Sequence, residues 1–217
     1  MIVDVHTHIP THCAEVPPED RRVDTTIGSG VPSSTTGSVA DYLEAMAVVD
    51  RAIVFGIARR PGYDEPPVLD WRQGWPRESN QNDIAAEVVK QAPGKLIPFM
   101  SLHPMQPDVN DEYDRSVGDL GCRGAKLGAT YQVFDPVGED AFRLYARLEQ
   151  DGLPVILHQG TSPIRDAPLM YSHPLVTDQI AIAFPKLKLV LAHLGHPWHA
   201  DCLTVVRKHP NVWADLS

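Results

Sequence analysis

Seven short apolar runs, separated by amphipathic stretches, predict a TIM-type (β/α)8 barrel whose eighth strand is absent from this sequence. Three observations carry that reading. The apolar runs are nearly continuous rather than alternating, as strands covered on both faces of a parallel sheet require. Helical patterns fall between them one by one, which is the order of repeated βαβ units. Histidines stand at or near the ends of several runs, where a barrel opens its carboxyl-end face.

In chain order, strands are expected over residues 2–8, 51–57, 95–102, 124–127, 154–158, 187–193 and 211–216. The helical stretch 38–49 opens on Ser38, a good cap, and places Val39, Leu43, Met46 and Ala47 on one face. Stretches 82–91 and 140–150 follow the same pattern. Stretches 174–184 and 197–208 each open on a proline, which suits a first helical position. A complete barrel of this kind needs about 250 residues. The 217 residues therefore read as a single barrel domain that is C-terminally incomplete. Unpaired apolar edges on the first and seventh strands would invite association, so a homo-oligomer, a dimer, is expected.

Charge narrows the partners. With 19 basic and 28 acidic side chains the net charge is -9, a surface that repels phosphate backbones and anionic lipid. No nucleic acid and no membrane are expected, which leaves a small-molecule substrate. No apolar run approaches the roughly 20 residues that span a bilayer. Cys13, Cys122 and Cys202 form no C-x-x-C pair, and Met1-Ile2-Val3 leads into polar sequence without a signal-peptide pattern. Reduced thiols and a cytoplasmic location follow as expectations.

Two long loops, 10–37 and 59–81, break the rhythm. Each follows a strand, so each is expected on the active-site face, and long loops in a compact domain are often functional. Tyr63, Trp71 and Trp75 in the second loop suggest a substrate cover.

The chemistry begins at Asp4-Val5-His6-Thr7-His8. Side chains alternate along a strand, so Asp4, His6 and His8 share a side, which in a barrel is the interior. Two imidazoles two residues apart can chelate one cation. Asp4, a layer deeper, would support a ligand or fill a polar core position. His158 ends the fifth run and His193 the sixth, each before a glycine-containing turn. In a closed barrel those ends converge. Lys126 lies on the fourth strand. His12 follows the first strand and, with Lys126 and Trp75, is expected to line a substrate pocket.

Taken together, D-x-H-x-H, G-C-R-G-A-K-L, P-V-I-L-H, L-A-H-L-G-H-P-W and N-V-W-A-D-L-S resemble the amidohydrolase superfamily. The pattern is similar to the amidohydrolase-related branch that includes aminocarboxymuconate semialdehyde decarboxylase and resorcylate-type decarboxylases. The resemblance spans the chain apart from the two long loops. It implies a barrel of the metal-dependent hydrolase type with His6, His8 and His158 as ligands of one divalent ion, zinc or alternatively manganese. It implies His193 as the acid/base or orienting group. The remaining ligand of the family, an eighth-strand aspartate, falls beyond Ser217, and Asp215 reads as part of the seventh-strand pattern. Some amidohydrolases bridge two metals with a carboxylated lysine at the place of Lys126. Pairing with a substrate carboxylate or a buried ion pair is the favoured reading here. The implied reaction is hydrolysis of a small carboxylated or cyclic, aromatic-derived substrate by metal-activated water, whose pKa such an ion lowers to about 7. Non-oxidative, metal-dependent decarboxylation is the alternative. A truncated or inactive relative that only binds is the third reading.

Overall fold

The structure is a computed structural model that describes residues 1–24, 33–62, 73–162 and 168–217. Tyr63 and Trp71, read above as parts of a substrate cover, lie outside the described residues.

Seven strands follow one another in the predicted order: β1 (Val3–His8), β2 (Arg51–Phe55), β3 (Leu96–Pro98), β4 (Ala125–Leu127), β5 (Val155–Leu157), β6 (Leu189–Leu191) and β7 (Val212–Ala214). All neighbouring pairs are parallel. Strands β1-β2-β3 form one ladder and β4-β5-β6-β7 another. A single parallel bridge, Met100 to Ala125, joins the two. It is held by Met100 N donating to Gly124 O at 2.9 Å and Lys126 N donating to Met100 O at 2.7 Å. The seven units of a (β/α) barrel are thus laid out in chain order.

The strands are shorter than their apolar runs. The sixth run extends to His193, yet β6 ends at Leu191. There the chain enters a 3-10 turn, Ala192–Gly195, with His193 and Leu194 at φ 59° and 47°. Residues other than glycine rarely adopt that left-handed region. The apolar pattern extends past the last ladder bond because the turn residues Ala192 and Gly195 are also buried.

Between the strands stand α1 (Val39–Ala45), α2 (Gln81–Gln91), α3 (Val109–Gly118), α4 (Ala129–Gln132), α5 (Glu139–Gln150), α6 (Pro174–Ala183) and α7 (His199–Lys208). Ser38 caps α1 as expected. Its hydroxyl accepts from Asp41 N at 3.1 Å, and the Asp41 carboxylate accepts from Ser38 N at 2.8 Å, a reciprocal capping box. Asn80 caps α2 in the same way with Asp83. Helix α7 starts two residues later than its proline suggested. Helix α3 has no counterpart in the sequence reading, for a physical reason. Its inner face is mixed: Val109, Tyr113 and Val117 pack on an apolar cluster, while buried Glu112, beside buried Ser116, accepts from Asn82 Nδ2 at 2.7 Å and Asn80 Nδ2 at 3.0 Å. Hydrophobic periodicity reads weakly where a short apolar row is interleaved with a buried carboxylate and hydroxyl.

Three apolar clusters hold these layers. One lies between β1–β3 and helices α1 and α2, and includes Ile9, Val54, Ile84 and Val88. A larger one backs β4–β7 with α5, α6 and α7. The third, Phe55, Phe99, Ile156 and Ala192, gathers residues of four different strand regions. In the larger cluster the Tyr145 ring lies 6.2 and 5.8 Å, centroid to centroid, from those of Phe142 and Phe184, and its hydroxyl is buried without a hydrogen-bond partner among the described residues. A buried, unbonded hydroxyl costs rather than contributes stability. Tyr145→Phe is expected to unfold at the same or a higher urea concentration. A loss of about 2 kcal/mol or more would show that the hydroxyl is engaged in solution. No helix among the described residues is long and apolar enough to cross a membrane.

Candidate metal centre

The centre is built where β1, β4, β6 and β7 send polar groups to one place. Strand alternation puts His6 and His8 on the same side, their ring centroids 5.5 Å apart. Asp4 supports the strand rather than a ring: its carboxylate accepts the His6 backbone N–H at 3.0 Å. His6 Nδ1 meets Asp215 Oδ2 at 2.9 Å. The other Asp215 oxygen accepts the His193 backbone N–H at 2.8 Å and the Ser217 hydroxyl at 2.7 Å. The left-handed turn at His193 is what aims that N–H at Asp215 and brings the His193 ring to 4.8 Å from that of His6. One ligand atom from each of His6, His193 and Asp215 lies within 4.8 Å of the others. The His158 ring packs edge-on against His193 at 4.9 Å.

The described residues form no ladder between β1 and β7. The His6–Asp215 bond crosses that seam.

Protonation states follow from burial. Desolvation pushes His6 down against the opposing pull of Asp215. It pushes His8 and His158 well below the usual imidazole range, aided by the charge of Lys126. His193 is lowered by the same cause. Burial alone would raise Asp215, but the bonds from His6, Ser217 and the His193 backbone outweigh it and hold the carboxyl well below its ordinary value. Neutral imidazoles beside an ionised carboxylate are the protonation states that bind a divalent cation. The donor set of two nitrogens and one oxygen suits zinc or manganese. The residues therefore fit the ion that the sequence implied.

Lys126 stands at the centre's base. It is 1 % exposed, its Nζ is 3.1 Å from His6 Nε2, and it lies 4.9 Å above the Phe55 ring. Burial lowers it to about 7, against the attraction of Asp215.

The sequence-predicted residues separate into two groups. His6, His8, His158, His193 and Lys126 come together. The described bonds of His12 and Trp75 run elsewhere. His12 is buried, with Nδ1 2.8 Å from Thr11 Oγ1 and Nε2 3.4 Å from Asp20 Oδ2. Asp20 in turn accepts from Gln73 Nε2 at 2.7 Å, and Trp75 Nε1 donates to Pro10 O at 2.8 Å. Trp75 packs on the apolar cluster beneath α2. Both residues fasten the first long loop to the second. Asp215 is the member of the centre that the sequence reading does not single out. Asp215 was absorbed into the strand pattern of N-V-W-A-D-L-S, although its place at a strand end was the same signal that marked His158.

Residues 3–217 match the family model described as amidohydrolase. The chain belongs to the amidohydrolase family. Its resemblance in D-x-H-x-H and the strand-end histidines is thereby borne out at the level of the family. Among solved structures, an uncharacterised TIM-barrel protein from Bordetella bronchiseptica is 24% identical with a TM-score of 0.64, over 83% of this chain and 59% of that one. A probable 2-pyrone-4,6-dicarboxylic acid hydrolase from Acinetobacter baumannii, with citric acid bound, is 13% identical with a TM-score of 0.58, over 100% of this chain and 70% of that one. A 5-carboxyvanillate decarboxylase from Novosphingobium aromaticivorans, with bound manganese and 3-methoxy-4-hydroxy-5-nitrobenzoic acid, is 21% identical with a TM-score of 0.51, over 71% of this chain and 49% of that one. At these identities the likeness establishes the barrel fold of this amidohydrolase. The chain spans 59% of the length of the Bordetella protein. No curated protein matches the sequence.

Proposed function

We propose that this amidohydrolase hydrolyses a small carboxylated or cyclic, aromatic-derived substrate with the help of one divalent ion, zinc or manganese. The observation that carries the reading is the convergence of His6, His193 and Asp215 within 4.8 Å, with His8 and His158 beside them. A bound divalent ion supplies Lewis acidity and a water acidic enough to ionise near neutral pH. The chain's own groups do the rest. His6, His193 and Asp215, with His8 and His158 of the ligand set that the sequence implied, would hold the ion. His193 Nδ1 donates to the Ser217 carbonyl at 2.9 Å, which leaves Nε2 to bind or to take a proton. Lys126, buried next to His6, would pair with a substrate carboxylate.

Lys126 also favours the second reading, non-oxidative decarboxylation, because a buried cation beside a metal centre suits an aromatic carboxylate. The Novosphingobium neighbour is a decarboxylase of that kind. On either reading the partner is a small molecule rather than nucleic acid or membrane, the location cytoplasmic, and the protein a homodimer.

A panel of aromatic carboxylates and lactones, supplied with zinc or manganese, tests the proposal. Ring opening or ester cleavage without carbon dioxide supports hydrolysis. Carbon dioxide release replaces it with the decarboxylase reading. Metal binding with no turnover of any member sinks both and leaves a binding protein.

A further inference from the structure

Tyr131 is used by nothing described so far, yet it is placed with care. It sits on α4, a single turn directly after β4. Its hydroxyl is 2.9 Å from His158 Nε2, and the two rings pack at a tilt of 49° with centroids 4.2 Å apart. The Thr161 carbonyl approaches the same nitrogen at 3.2 Å. A carbonyl oxygen only accepts, so the bond requires a proton on Nε2. The phenol oxygen shares that N–H, and the hydroxyl also bonds with Ser162. With Nε2 protonated, a neutral ring keeps its single lone pair on Nδ1.

The turn that carries Tyr131 is fixed on both sides. Gln132, 1 % exposed, donates from Nε2 to Ala58 O at 3.2 Å and Leu102 O at 2.9 Å, and its Oε1 accepts from Gly128 N at 2.9 Å. These bonds tie the turn to the ends of β2, β3 and β4. Thr130 Oγ1 donates to Pro168 O at 3.2 Å. Gly128 leaves room for the phenol ring: a Cβ there would lie 2.8 Å from Tyr131 Cδ2 and 3.7 Å from His158 Cβ. A residue held this firmly against a candidate ligand can set its orientation and tautomer, the role that hydrogen-bond partners of metal-binding histidines play.

We propose that Tyr131 is a positioning residue for His158: with the Thr161 carbonyl it fixes the proton on Nε2 and so presents Nδ1 as the ring's lone pair. Its expression in metal binding rests on the function proposed above, but the tautomer itself does not.

The test uses the metal-free full chain labelled with 15N-histidine. In wild type, the two-bond proton–nitrogen correlations of His158 are expected to show the Nε2–H tautomer alone. Tyr131→Phe keeps the ring contact and removes the hydroxyl, and is expected to give a mixture of both tautomers. Gly128→Ala keeps the hydroxyl but displaces the ring, and is expected to do the same. Zinc titration should show Tyr131→Phe binding about tenfold more weakly. A single Nε2–H tautomer in both variants overturns the proposal, as does a wild-type His158 that carries its proton on Nδ1. Thermal melts verify that each variant is folded; should Gly128→Ala not fold, Tyr131→Phe alone decides. If wild type shows the tautomer lock, and Tyr131→Phe releases it while zinc binds neither protein, the positioning role stands and the metal-dependent function fails.

Discussion

Asp215→Asn is expected to bind zinc or manganese at least about 100-fold more weakly than wild type. Residues that merely support a metal ligand already account for about 10–100-fold, and Asp215 is placed to act directly. It is the anion of the His6–His193–Asp215 group. Its two oxygens serve different elements: one accepts from His6 Nδ1 on β1, the other from the His193 backbone, Ser217 N and the Ser217 hydroxyl. An asparagine offers one acceptor and one donor, so it cannot serve both sides. Facing His6 with its amide, it would also force the ring to turn its Nδ1–H away. Equilibrium dialysis against each metal measures the loss, and a thermal melt in parallel separates it from unfolding. A folded Asp215→Asn protein with wild-type zinc affinity would remove Asp215 from the site. His6→Ala, measured alongside, is expected to lose metal to a similar degree because it deletes both a ligand and the partner of Asp215.

The second large effect is on stability. Gly160→Ala is expected to cost about 3 kcal/mol or more, a large part of the roughly 5–15 kcal/mol that holds a typical domain folded. Gly160 has φ +98°, a conformation that strains any residue with a Cβ. A Cβ there would meet His196 O at 2.4 Å and His196 N at 3.1 Å, both backbone atoms of the turn after β6. That turn cannot easily retreat. Thr161 N donates to His196 O at 2.8 Å, and Gly160 N donates to Ser172 O at 2.8 Å while the Ser172 hydroxyl returns a bond to Gly160 O at 2.6 Å. The crossing therefore locks the loop that follows His158 against the loop that carries His193. Urea denaturation reads the loss directly. A variant within about 1 kcal/mol of wild type would show that the crossing opens in solution.

Much of this molecule was legible before any coordinates. Near-continuous apolar runs such as Pro154-Val155-Ile156-Leu157 announced buried parallel strands, because a strand covered on both faces has no polar side to alternate with. Where those runs met helix caps such as Ser38, the element and its start were both readable. Helix α3 was not, since its inward face mixes Val109, Tyr113 and Val117 with Glu112 and Ser116 in a network with Asn82, and polar burial dilutes the hydropathy signal. The end of β6 was not, because the left-handed turn at His193 and Leu194 is imposed by its surroundings and not by a glycine.

The candidate site divides along the same line. The two-residue spacing of His6 and His8 fixes that they share a face of one strand, because alternation is a local property of extended backbone. Their pairing with His158 and His193 was anticipated from strand-end positions and the family resemblance. What no local rule contains is the set of partners over long separations. The His6–Asp215 bond joins residues 209 apart, and the Lys126–His6 contact joins residues 120 apart. The sequence by itself determined the strand order, the family and four histidines of the centre. Only the tertiary structure decided that Asp215 joins them, that Lys126 lies beneath them, and that His12 and Trp75 fasten loops. Spacing along a chain constrains side chains within one element, whereas these assignments depend on where separate elements meet once the core has packed.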